Sequence, residues 1–168
     1  MIAKEPMIEE WREIYQREYP SLVRALLAVG RDAAAAEDAA QEAFIRAHRI
    51  GLHKIRNLSG WLFVLGSREV FRRAKRLRHE RELWASLPTA PEALDVAMDR
   101  ADLLRSLGQL TERQRAVIVA RYFYGLSYNE IAEHFDIKSG TVGATLHHGI
   151  EQLRHIHVAG RLARGALR

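Results

Sequence analysis

From Ile8 onward the apolar residues Ile8, Trp11, Tyr15, Leu22, Leu26 and Val29 recur at intervals of three, four or seven, the pattern of a helix with one buried face. Pro20 interrupts this run. Proline is excluded from helix interiors but fits a first turn, so the pattern predicts a joint there and a second helix, PSLVRALLAVG, that Gly30 closes. DAAAAEDAAQEAFIRAHR, rich in strong helix formers, predicts a third helix with Asp32 as its cap. RIGLHKIRNLSG has little periodicity and reads as a loop, after which WLFVLGSREVFRRAKRLRHER restores a long helix that Ser59 is placed to cap. Pro88 and Pro91 break the pattern in ASLPTAPEALD, the natural linker. Beyond it, helices are expected at about 92–107, 111–124, 127–134 and 139–156. The expected fold is all-α, with two small helical domains at 1–84 and 92–156, a short linker at 85–91, and a frayed basic tail at 157–168.

Composition narrows the possible chemistry. The chain has no cysteine, which excludes disulfides and thiolate zinc sites. No stretch reaches the roughly 18–20 apolar residues that span a bilayer, and MIAKEPMIEEW lacks a signal-peptide hydrophobic segment. A cytoplasmic protein without membrane insertion is therefore expected. The net charge of +5 is unevenly spread: residues 1–45 hold five Lys/Arg against nine Asp/Glu, residues 46–82 eleven against three, and the remainder ten against nine. The middle block interleaves cations with Trp61, Phe63 and Phe71, a mixture suited to phosphates and stacked bases, although a solvated basic face has the same composition. His147, Glu151 and His155 share a helical face, but no obvious further ligand accompanies them, so they read as a polar face and no metal is expected. With no phosphate-binding glycine loop or nucleophile motif, neither catalysis nor a cofactor is expected.

In the C-terminal half, Ser127 and Glu130 form the S-x-x-E pattern of a capping box that starts a helix. Ile131 and Ala132 are positioned to face a partner helix, Ile137 fills the following turn, and Val142, Leu146, Ile150 and Leu153 form an apolar stripe. This is the layout of a helix-turn-helix. Its second helix would present Thr141, Gly143, Ala144, Thr145 and His148 to a major groove.

LTERQRAVIVARYFYGLSYNEIAEHFDIKSGTV resembles the C-terminal DNA-binding domain of bacterial sigma factors of the extracytoplasmic-function type. Upstream, YQREYPSLVRALLAVGRD followed by AEDAAQEAFIRAH resembles the first part of that family's promoter-melting domain, and LSGWLF the start of its basic promoter-reading helix. The resemblance implies a protein that binds core RNA polymerase, beta and beta-prime subunits included, directs it to promoters and helps open DNA. An anti-sigma factor or an activator is a further implied partner. The matching family surface for the clamp helices of the largest polymerase subunit falls on Glu37, Asp38, Gln41, Glu42 and Arg46. The family's capture of an unstacked minus-ten base falls on Lys54, Arg56, Asn57 and Ser59, with Arg68, Arg72, Arg73 and Arg76 along the helix that holds the separated strand.

For the minus-thirty-five element, Arg113, Arg115, Arg121 and Lys138 are candidates to hold phosphates, and Ser139, Thr141, Gly143, Ala144, Thr145 and His148 to face bases. Two departures from the family stand out. After WLF come Val64, Ser67 and Arg68, where the family carries arginine, arginine and asparagine. The family's second helix runs like GTVKSRLHRAR, whereas GTVGATLHHGI loses cations at Gly143, Thr145 and His148; Lys138 also replaces a serine, leaving Ser139 to take the capping role. Gly143 and Gly149 should together weaken this helix by about 1–2 kcal/mol. Either the helix approaches the groove closely and meets thymine methyl groups, or it reads little DNA unaided. The competing function is a stand-alone helix-turn-helix regulator that binds duplex DNA as a dimer.

Overall fold

The structure is a computed structural model that describes residues 5–51, 54–83 and 105–165. Helices dominate, and no strand occurs among the described residues. The chain divides into two compact units, Met1–Ala74 and Lys75–Arg168. The sequence-predicted linker at 85–91 and the predicted helix as far as residue 104 lie outside the described residues, while residues 105–108 are helical.

In the first unit, α1 (Glu5–Gly30) runs without a break through Pro20. The joint predicted at Pro20 is therefore absent, and α1 is one helix instead of two. Proline removes the hydrogen bond to the Gln16 carbonyl, but both residues are exposed, so water reaches the freed group. Meanwhile a single apolar stripe, from Tyr15 and Tyr19 to the buried Leu22, Leu26 and Val29, anchors both halves of the helix. Arg31 takes left-handed backbone (φ 60°) and Asp32 caps α2 (Ala33–Ile50), its carboxylate accepting from the Ala35 amide at 2.9 Å. The connection is so short that α2 must double back along α1. Trp11 meets His48 edge-on and Tyr15 meets Phe44, as an antiparallel pair requires. Alanines 35, 36, 39, 40, 43 and 47 are all buried, and their small side chains let the two backbones approach.

Helix α3 (Leu58–Leu83) begins with Asn57, not Ser59, as its cap: the Asn57 side chain accepts from the Gly60 amide at 3.0 Å. Leu62, Phe63, Val64 and Val70 complete the core. Gly66 passes Leu26 so closely that a Cβ there would lie 2.6 Å from Leu26 Cδ1.

The second unit holds α4 (Glu112–Tyr122), α5 (Tyr128–Phe135) and α6 (Ser139–Gly165). Thr111 with Gln114 and Ser127 with Glu130 each form a complete capping box, the second as expected from sequence. Asp136 ends α5 in left-handed backbone (φ 52°), and the Ile137 amide returns to the Ala132 carbonyl at 2.9 Å. Helix α6 then packs on both α4 and α5 through the buried Val142 and Leu146. Its first turn is closed by the Lys138 carbonyl, which accepts from Thr141 and Val142, so Lys138 holds the cap position and Ser139 is already helical. The helix extends through Gly165, so most of the expected frayed tail is helical, in keeping with its alanine, leucine and arginine content.

Candidate functional site

On α2 the buried alanine face turns Glu37, Asp38 and Gln41 outward, with Glu42 and Arg46 half-exposed at its edge. Arg46 donates to Glu42 at 2.7 Å. That hydrogen bond holds the Glu42 carboxyl below its ordinary value; desolvation opposes it, and the charges of Arg46, Arg49 and Arg72 add to the lowering. Ile45 stands among these polar groups with 47% of its surface exposed. Sequence reasoning missed it, although its place four residues after Gln41 and outside the alanine stripe was a readable signal.

Helix α3 carries the cationic face. Arg68, Arg72 and Arg76 are exposed on one face, as is Lys75, a residue the sequence reading left out. Arg72 is paired with Glu69, and Arg73 reaches across to Asp38 on α2. Lys54 and Arg56 are exposed before the helix. The other two loop candidates are engaged within the protein: Asn57 caps α3, and the half-buried Ser59 donates to Glu18 at 2.7 Å. Trp61 is half-buried in the first turn.

In the second unit Arg113 and Lys138 are exposed and available to phosphates. Arg115 is not. It is buried and donates to the carbonyls of Leu110 at 2.5 Å and Leu107 at 3.4 Å, tying α4 to the turn before it. Arg121 is half-buried, donating to the Leu126 carbonyl at 3.0 Å with its guanidinium 5.4 Å from the centre of the Tyr128 ring. On α6, Ser139, Thr141, Ala144 and His148 are exposed, joined by Gly140 and His147. Gly143 and Thr145 are half-buried; a Cβ at Gly143 would lie 3.6 Å from Tyr128 Cε2. Gly143 thus faces α5, and the outermost small positions are Gly140 and Ala144. Of the histidine-bearing face, Glu151 is paired with Arg154 at 2.6 Å.

Residues 14–80 match the model of sigma-70 region 2, and residues 100–153 match that of sigma-70, region 4. The ECF RNA polymerase sigma factor SigL of Mycobacterium tuberculosis is 32% identical over 153 residues, covering 85% of this chain and 86% of the relative. The chain belongs to the ECF RNA polymerase sigma factors. SigW of Bacillus subtilis is 31% identical over 137 residues, covering 71% of this chain and 73% of that protein. Among solved structures, the sigma factor RpoE of Bartonella quintana, crystallised with the anti-sigma factor NepR, shares the fold with a TM-score of 0.68 and 20% identity, over 88% of this chain and 96% of that one. The function is accordingly that of a transcription initiation factor directing promoter-specific transcription. Both faces of the first unit lie within the region 2 match, and the helix-turn-helix within region 4. The family departures at Val64 and Ser67 fall in this sigma factor's core, both residues being almost fully buried. Among the described residues the Ser67 hydroxyl has no hydrogen-bond partner. No helix among the described residues is long and apolar enough to cross a membrane.

Proposed function

We propose that the first unit docks on core RNA polymerase through the outward face of α2 and holds the separated minus-ten strand on α3, while α6 of the second unit enters the major groove at minus-thirty-five. The carrying observation is the separation of surfaces on two helices that the Asp38–Arg73 pair joins. The α2 face presents Glu37, Asp38, Gln41 and Ile45, whereas the α3 face presents Arg68, Arg72, Lys75 and Arg76. An acidic surface with an apolar centre suits a basic protein partner, and a cationic track suits a phosphate backbone. Lys54 and Arg56 extend the track toward the loop, and Arg113 and Lys138 position the second unit on duplex phosphates. The segment between the two family matches, 81–99, contains the proposed linker 85–91.

Transcription by core polymerase from the same host, with and without the purified chain on host genomic DNA, tests this reading. New starts that share two upstream elements are expected. No stimulated initiation, with tight duplex binding by a dimer in the absence of polymerase, is the outcome for a stand-alone regulator and would overturn it.

A further inference from the structure

The base-reading chemistry open to α6 follows from which of its side chains face outward. Over its first turns these are Ser139, Thr141, Ala144, His147 and His148, with Gly140 adding backbone alone. Guanine in the major groove is read by the two hydrogen bonds of an arginine or lysine, adenine by those of an asparagine or glutamine, and cytosine by a carboxylate. None of these side chains occurs on this face over the first turns of α6; further along the helix, Glu151 is paired with Arg154 and Gln152 donates to the Gln109 carbonyl. Lys138 stands just before the helix, at the cap, and Arg113 lies on α4. Ser139 and Thr141 offer short hydroxyls, and the two histidines offer single ring nitrogens.

The other outward groups are the Ala144 methyl and the methyl of Thr141. The major-groove edge has one apolar feature to match them, the C5-methyl of thymine. Neither side chain reaches far from the helix, and Gly140 adds nothing beside them, so the backbone can lie close against the bases. We infer that Ala144 and Thr141 read thymine methyl groups in the upstream promoter element, and that this element is recognised by apolar contact more than by paired hydrogen bonds. The inference rests on the proposed entry of α6 into the major groove. It moves the contact away from Gly143, which faces Tyr128, to the exposed positions Thr141 and Ala144.

The test uses holoenzyme reconstituted with the full chain on a promoter mapped as above. Each thymine of the upstream element, on either strand, is replaced singly by deoxyuridine, which keeps every hydrogen-bonding group and removes only the methyl. At one or two positions initiation should fall about fourfold for each lost methyl contact. Ala144→Gly should cause a similar loss on the thymine template and little further loss on the deoxyuridine template at the contacted position. The deoxyuridine series stands without that variant, so a folding defect in Ala144→Gly leaves the test intact. Deoxyuridine without effect at every position, while thymine-to-cytosine changes impair initiation, overturns the inference in favour of hydrogen-bond or shape reading. An upstream element lacking A·T pairs, or one that can be scrambled without loss, overturns it as well. If no initiation is stimulated on any fragment, the reading as a whole fails and takes this inference with it.

Discussion

Gly143 and Gly149 both lie inside α6, where the sequence makes them equal liabilities. Their surroundings separate them. A Cβ at Gly143 meets only Tyr128 Cε2 at 3.6 Å, ordinary contact, so Gly143→Ala should stabilise the protein by about 0.5–1 kcal/mol, the usual helix preference for alanine. At Gly149 a Cβ would come within 2.9 Å of Ile118 Cδ1 on α4, so overpacking should cancel that gain or reverse it by about 1 kcal/mol. Urea unfolding of the two variants checks the difference in sign. The arginines of α4 divide in the same way. Arg115→Ala should cost about 2–3 kcal/mol, because it leaves the Leu110 and Leu107 carbonyls without their charged donor; Arg113→Ala should leave stability within about 0.5 kcal/mol. Denaturation measures the first, and promoter binding at several salt concentrations the second, with Arg113→Ala lowering the salt slope by about one.

The family resemblance implies different partners for helices α2 and α3, and the fold joins them through Asp38 and Arg73. With side chains 64% and 34% exposed, this pair should contribute less than about 1 kcal/mol to stability. Its larger consequence is electrostatic: Asp38 neutralises a cation at the edge of the track proposed to hold DNA. Asp38→Asn should therefore strengthen binding of the polymerase-free chain to a single-stranded minus-ten oligonucleotide while weakening association with core polymerase, and adding Arg73→Ala should abolish the DNA gain. Fluorescence anisotropy reads both effects, and unchanged DNA affinity in Asp38→Asn would refute the coupling. Glu42, on the same face, has its carboxyl held low by Arg46. Its stabilising contribution is present above the ordinary carboxylate value and lost as pH falls through the lowered one, so the face keeps this negative charge at neutral pH. Pro20 shows how packing overrides a local signal: proline argues for a break, but it sits at an exposed position, and a shared apolar stripe against α2 keeps α1 continuous.

Across the whole chain, a modest net charge hides a strong division between an acidic N-terminal segment and the basic stretch that follows. Binding of holoenzyme to promoter DNA should weaken steeply with salt, because cations from both units displace counterions. Removing Lys54, Arg56, Arg68 or Arg76 singly to alanine should lower the slope of log affinity against log salt by about one each, with the open-complex footprint unchanged in position. Arg115→Ala should not belong to that series, since its charge is spent inside the protein.

The order of helices, the Ser127–Glu130 capping box, the helix-turn-helix and the family were legible in the sequence because each rests on local spacing: a period, a cap four residues long, a run of matched positions. Which arginine turns inward, which glycine is needed for packing, that Asn57 rather than Ser59 caps α3, and that Ile45 lies bare on a polar face were decided by tertiary structure. Those outcomes depend on what stands opposite each side chain, and the opposing groups come from other helices: Ile118 against Gly149, Glu18 against Ser59, Asp38 against Arg73. Periodicity places a residue on its own helix, and only the packing of helices determines what that residue meets.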